Sequence, residues 1–162
     1  MVALTKRFLE QYSNRQTIAV HLKLDGPREE SYASSHDWHA FFKNHPDVNF
    51  LLLGPIPASH FLFELPNVHQ ISVPLSYQIC LINLVDAFLG MSSGFAAEAI
   101  LGCTPSVIFK HPLHHLTVMQ NELSFIHDLC SDKQFFWQKE DSYENLEVAF
   151  QLVAKDTLSC RK

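Results

Sequence analysis

Glycine is scarce in this chain, with five among 162 residues. Gly26, Gly54, Gly90, Gly94 and Gly102 are too widely spaced to build a G-x-G-x-x-G turn or a Walker A loop. The dinucleotide fingerprint and the P-loop are therefore excluded. A nucleophile elbow is missing too, because Met91-Ser-Ser-Gly94 lacks the first glycine of G-x-S-x-G. There is no block of basic residues, and the net charge is −5. That disfavours nucleic-acid binding by phosphate neutralisation, although backbone amides can hold a small anion at any net charge. Long apolar runs are also absent. Ile79 to Met91 is the longest, and it contains Asn83 and Asp86 and is too short to cross a bilayer. Lys6, Arg7 and Glu10 interrupt the N-terminus, so neither a signal peptide nor a membrane span is expected. Cys80, Cys103, Cys130 and Cys160 follow no zinc or redox spacing. Cys80 and Cys103 lie in apolar contexts and read as small buried hydrophobes. Reduced thiols in a cytoplasmic protein are the simplest expectation, with no metal site.

What is present is an ordinary globular composition, 47% apolar and 18% charged. The length suits one domain over residues 1–162. Apolar runs alternate with helical patterns. Helices are expected over Thr5–Tyr12, around Trp38, Phe41 and Phe42, over Ser59–Leu65, Ser76–Val85, Phe95–Leu101 and Leu116–Cys130, and after Ser142. Strands are expected over Thr17–Leu24, Val48–Leu53, Val68–Val73, Ala87–Leu89, Ser106–Phe109 and Gln134–Gln138. The continuous apolar Val48–Leu53 marks a strand buried on both faces. Alternation of this kind predicts an α/β fold: a Rossmann-like three-layer sandwich with a mainly parallel sheet of about six strands.

Ligands in such folds bind beyond the carboxyl ends of the strands. That edge collects His21, Lys23, Gly54, Val73, Ser92, Ser93, Gly94 and Lys110. The richest stretch is Asp86 to Phe109, a strand, a Ser-Ser-Gly turn, an alanine-rich helix, Gly102 as its C′ residue, then Pro105 and a strand. It aims a helix N-terminus out of the sheet edge, where free N–H groups and the helix dipole attract phosphate or carboxylate. Ser92, Ser93 and Gly94 can donate to a diphosphate. The plain alternative is a helix cap without a ligand. By period-2 alternation His21 and Lys23 share a side of the first strand, positioned for a phosphate or sugar. The alternative for His21 is a strand-end imidazole satisfied by a backbone carbonyl. Val73 is a candidate for a backbone contact to a base. His111, His114 and His115 form the densest histidine cluster, read as a loop at the site rim rather than a metal centre. His36 and His39 read as exposed.

The Asp86–Phe109 stretch resembles the acidic-residue, Ser-Gly, Glu-Ala, Gly-x-Pro segment in the C-terminal domain of GT-B glycosyltransferases, in particular the heptosyltransferase-like group. Thr17-Ile-Ala-Val-His-Leu-Lys-Leu-Asp25, followed by Trp38, is similar to the first strand of that domain in heptosyltransferases and fucosyltransferases. Two departures stand out. Lys23 takes the place of an Arg, and Ala97-Glu98 lies where heptosyltransferases carry a His. The resemblance implies a domain that binds a nucleotide diphosphate sugar as donor, with Glu98 near the ribose. It implies no metal and no organic cofactor. It also implies a partner, either a separate acceptor-binding domain or a second copy of the chain. Catalytic residues are not indicated, and glycosyl transfer by this chain alone is doubtful. Two other readings remain open: a non-catalytic Rossmann-like interaction module, and a sugar-nucleotide epimerase-like enzyme.

Overall fold

The structure, a computed structural model, describes residues 1–24, 33–112 and 133–154. Six strands form one parallel sheet: β1 (Gln16–His21), β2 (Val48–Leu53), β3 (Val68–Gln70), β4 (Ala87–Met91), β5 (Ser106–Phe109) and β6 (Gln134–Trp137). Their order across the sheet is β3-β2-β1-β4-β5-β6, and every pairing is parallel. The chain thus winds outward from β1 in one direction and resumes at β4 in the other. The resulting switch point lies between β1 and β4, where doubly wound sheets open a ligand crevice. The expected Rossmann-like α/β architecture is the one observed.

Side chains along each strand alternate between two cores. On one face Ile18, Val20, Phe50, Leu52, Leu89 and Phe109 pack beneath α2 (Ser35–Asn44) and the C-terminal helix α5 (Tyr143–Ala154). Trp38, Phe41 and Phe42 of α2 are fully buried. Their spacing of three and four residues puts all three on one helical face. Each contributes about 2 kcal/mol by burial alone. On the other face Ala19, Leu51, Leu53, Phe88 and Ile108 pack beneath α3 (Leu75–Ile82) and α4 (Gly94–Leu101). Phe8 and Leu9, from α1 (Val2–Leu9) at its end, pack against this second core.

Several boundaries differ from the sequence expectation. The first strand ends at His21, not Leu24, because its last ladder partners are Leu53 and Gly90. Beyond them Gly54 turns away with φ 89. The third strand ends at Gln70, although Ile71 still donates to Leu52 O. Pro74, which has no N–H, caps α3 shortly after. The first helix begins at Val2 and tightens into a 3-10 turn over Glu10–Tyr12. Ser59–Leu65 contains only a 3-10 turn, Phe61–Glu64. The proposed helix Leu116–Cys130 lies outside the described residues, as do His114 and His115.

Two local readings are corrected. Gly102 is not the left-handed residue that ends α4; its φ is −83, and Cys103 takes φ 59 instead. Cys103 N–H bonds to Ile100 O and Thr104 N–H to Ala99 O, a Schellman closure with a cysteine at C′. The space at 102 is tight: a Cβ there falls 1.5 Å from Asn83 Oδ1, the tip of an exposed side chain that must move to admit it. Nor is Cys103 buried. It is exposed, and Cys80 is half-buried.

Candidate functional site: a cleft at the switch point

The C-terminal ends of β1, β2 and β4 meet at His21, Leu53 and Met91. His21 is the centre of the cleft above them. Its ring lies 4.9 Å from that of Phe95, centroid to centroid. Its other flank faces Gly54, where a Cβ would stand 3.3 Å from Cδ2 and Nε2. The left-handed φ and this close approach together explain the glycine. Nδ1 of His21 is buried and has no hydrogen-bond partner among the described residues, so no backbone carbonyl there satisfies this nitrogen. Burial lowers the His21 pKa from 6.5 to about 4, so the ring is neutral at pH 7.

That shift has a measurable consequence. The unfolded chain takes up the His21 proton as pH falls through 6.5, whereas the folded chain resists until about 4. Stability is therefore full above pH 6.5, falls across this window and levels below it, by about 3 kcal/mol at most. Urea titrations of wild type and His21→Gln between pH 7.5 and 4 are expected to converge toward low pH. Parallel curves would place the pH dependence elsewhere.

The second component is α4. Ser93 caps it, with Oγ accepting from Ala96 N at 3.3 Å. The N–H groups of Gly94 and Phe95 find no acceptor among the described residues. The other end of the helix is treated differently. Gln134 Nε2 donates to Ala99 O, Ile100 O and Thr104 O at 2.9 to 3.1 Å, in addition to the Schellman closure. At one end of α4 the carbonyls of Glu98, Ala99 and Ile100 are thus capped, and at the other the Gly94 and Phe95 N–H groups stay open above the sheet. A Cβ at Gly94 would meet no atom within 4 Å.

Around these groups the cleft has two lobes that share Pro55. The larger, about 580 Å³, is lined by His21, Lys23, Ser92, Ser93, Ser35 and His60, among others. The smaller, about 430 Å³, lies between Gly54, Ile71, Ser72, Leu75 and the Phe95 ring. Gln78 braces the smaller lobe: Oε1 accepts from Gly54 N at 2.9 Å, and Nε2 donates to Val73 O at 2.8 Å.

Six of the nine residues singled out from the sequence converge here: His21, Lys23, Gly54, Ser92 and Ser93 in the walls, with Gly94 opening α4 beside them. Three lie outside the lining. The Val73 carbonyl is held by Gln78, next to Ser72 of the smaller lobe. Glu98 Oε1 accepts from Asn83 Nδ2 at 2.7 Å, beside the C-terminal end of α3. Lys110 follows β5, with its N–H on Trp137 O. Residues that were not anticipated are Ser35, His60 and the Phe95 ring. Among the described residues no group of three His, Cys, Asp or Glu can hold a metal ion.

No protein-family model and no curated protein matches the sequence. Solved structures do match. The C-terminal CMP-Kdo binding domain of WaaA from Acinetobacter baumannii superposes with a TM-score of 0.60 at 11% identity, over 98% of this chain and 92% of that one. The chain has the fold of one domain of a GT-B glycosyltransferase. ADP-heptose LPS heptosyltransferase II of E. coli gives 0.68 at 13% identity, covering 94% of this chain and 51% of the enzyme. A family 9 glycosyl transferase from Veillonella parvula gives 0.65 at 11%, covering 95% and 51%. The chain thus spans about half the length of these two full enzymes. No helix among the described residues is long and apolar enough to cross a membrane.

Proposed function

We propose that this chain is the donor-binding domain of a glycosyltransferase and binds a nucleotide diphosphate sugar across the two lobes. The observation that carries the reading is the N-terminus of α4, where the Gly94 and Phe95 N–H groups stay open beyond the Ser93 cap, set at the β1–β4 switch point beside neutral His21. Gly94 and Phe95 N–H groups, with the Ser92 hydroxyl, receive the diphosphate. Lys23 adds positive charge on the same wall. The base lies in the smaller lobe against Phe95, with the backbone near Ser72 and Val73 within reach. Glu98 of α4, bound to Asn83, and Lys110, which follows β5, lie outside the lining of both lobes. In transfer, an acceptor hydroxyl forms a new C–O bond at the anomeric carbon and gives up its proton to a base as the C–O bond to the diphosphate breaks, and the open amides stabilise the charge that develops on the leaving oxygen. The acceptor and its base come from a second domain or a second copy. Neither metal nor organic cofactor is called for, and a reducing cytoplasmic setting suits the thiols.

The test is thermal denaturation with UDP, GDP, ADP and CMP, with their sugar esters, on wild type and Gly94→Val. A ligand bound only by the native state raises the melting temperature. Position 94 has room for a side chain, so the variant is expected to keep its stability within about 1 kcal/mol. The added methyls stand where the diphosphate approaches, and affinity is expected to fall by at least about tenfold, or 1.4 kcal/mol. A folded wild type that responds to no nucleotide would leave the non-catalytic interaction module as the better reading.

A further inference from the structure

The donor reading leaves His60, in the wall of the larger lobe, without a task. It is held rigidly. His60 N–H bonds to Pro57 O at 2.9 Å, and Phe63 N–H bonds to His60 O at 3.0 Å. Its ring stacks on Phe61, 4.8 Å between centroids and 25° between planes. Phe61 is in turn wedged against His36 and His39 of α2, at 5.7 and 5.4 Å. The strand-end loop is pinned at its start as well, where Gln70 Nε2 donates to Ile56 O. The ring has a defined tautomer. Leu62 N–H donates to Nδ1 at 3.4 Å, so Nδ1 is the acceptor and Nε2 carries the proton. Partial burial lowers the His60 pKa and favours this neutral form.

The two lobes differ in chemistry as well as in size. The smaller sets Ile71, Leu75 and the Phe95 ring beside Gln70, Ser72 and Gln78, which suits a flat base with polar edges. The larger sets Lys23, Ser35, His60 and the two serines of the α4 turn opposite apolar Leu22, Leu24 and Ile56, which suits a sugar with its hydroxyls and one apolar face. With the diphosphate at α4, the base and the glycosyl group must lie on opposite sides of it.

We propose that the larger lobe takes the glycosyl group and that His60 is its specificity residue, donating Nε2–H to a sugar hydroxyl. The inference rests on the donor-domain reading and extends it. A donor whose ring and backbone are both fixed costs little entropy when the sugar binds. It also discriminates, since a sugar without the matching hydroxyl leaves the N–H unpaired.

The experiment compares each nucleotide with its sugar ester by calorimetry, using ADP with ADP-glucose, GDP with GDP-mannose, and UDP with UDP-glucose. The proteins are wild type, His60→Phe and His60→Gln. Phenylalanine keeps a ring on Phe61 and removes the donor; glutamine restores an N–H donor. In wild type the sugar ester is expected to bind more tightly than its diphosphate. His60→Phe is expected to weaken the ester by about tenfold, the worth of one hydrogen bond, and to leave the diphosphate within about twofold. His60→Gln should recover most of the loss. Equal weakening of diphosphate and ester, no change in either, or a wild type that gains nothing from the sugar would each overturn the assignment to the glycosyl group. A wild type that binds no nucleotide at all would instead overturn the donor-domain reading and this inference with it.

Discussion

Gly90→Ala is expected to cost about 3 kcal/mol or more, close to the upper end for a single added methyl. At about 2–4 °C per kcal/mol for a chain of this size, the melting temperature should fall by roughly 10 °C. Gly90 pairs with His21 across the β1–β4 seam. A Cβ there would lie 2.5 Å from His21 O, 3.0 Å from its N and 3.2 Å from its C. All three are backbone atoms of a strand fixed on both sides, by β2 and by β4. No rotamer relieves the clash, and only a separation of the strands does. Gly102→Ala makes the informative contrast. Its Cβ would come still closer to a neighbour, 1.5 Å from Asn83 Oδ1. That neighbour is the tip of an exposed side chain, which can swing away at the loss of its bond to Glu98. The residual contact is 3.1 Å to Glu98 O. About 1 kcal/mol is expected, the scale of one exposed polar contact. Urea midpoints of the two variants decide the matter. If Gly102→Ala proves as damaging as Gly90→Ala, the identity of the clashing atom does not set the cost.

The same seam shows which parts of the site the sequence could disclose. The Ser-Ser-Gly turn before an alanine-rich helix and the His at a strand end are local patterns, and both landed on the cleft. Period and composition also sufficed for the sheet, because β2 and β5 are mostly apolar and buried along their length, with Asn49 and Ser106 as their polar members. His60 was not legible. It reaches the cleft because β2 ends at Gly54 with a positive φ and the following prolines carry the chain over the β1 edge. Nothing in the stretch itself distinguishes His60 from His36 or His39. The role of Gly102 was misread for a related reason. A glycine after a helix ordinarily marks a left-handed turn, and here the Asn83 side chain, just past α3, stands where a Cβ would go instead. Both failures concern contacts between segments distant in sequence, which local patterns do not encode.

Asp141→Ala is expected to be of similar magnitude to Gly90→Ala, and for an electrostatic reason rather than a steric one. Asp141 is 6% exposed, and its Oδ2 accepts from Trp38 Nε1 at 2.6 Å and from Ser34 N at 2.9 Å. Ser34 is the residue before α2, and its own side chain caps nothing on that helix. The carboxylate just before α5 therefore supplies the anion at the start of α2, about a hundred residues away in sequence. Burial pushes the Asp141 carboxyl above its ordinary pKa, although the Ser34 and Trp38 bonds favour the ionised form. Alanine leaves the Trp38 indole N–H buried without an acceptor and uncaps α2. Each orphaned donor costs about 1–3 kcal/mol, so a loss of about 3 kcal/mol follows. Asparagine retains an acceptor oxygen and removes the buried charge, and about 1 kcal/mol is expected. The pH dependence separates the variants further. Because the folded carboxyl holds its proton more tightly than the unfolded one, the wild type loses stability as pH rises through the unfolded and then the folded value. Asp141→Asn should lack that component. Ser35, next to the tethered Ser34, lines the larger lobe, so this bond also fixes one wall of the proposed sugar site. If urea denaturation puts Asp141→Ala within 1 kcal/mol of wild type, as roughly the effect of an ordinary surface change, then the carboxylate does not anchor α2 and the wall is held by the aromatic packing of Trp38, Phe41 and Phe42 alone.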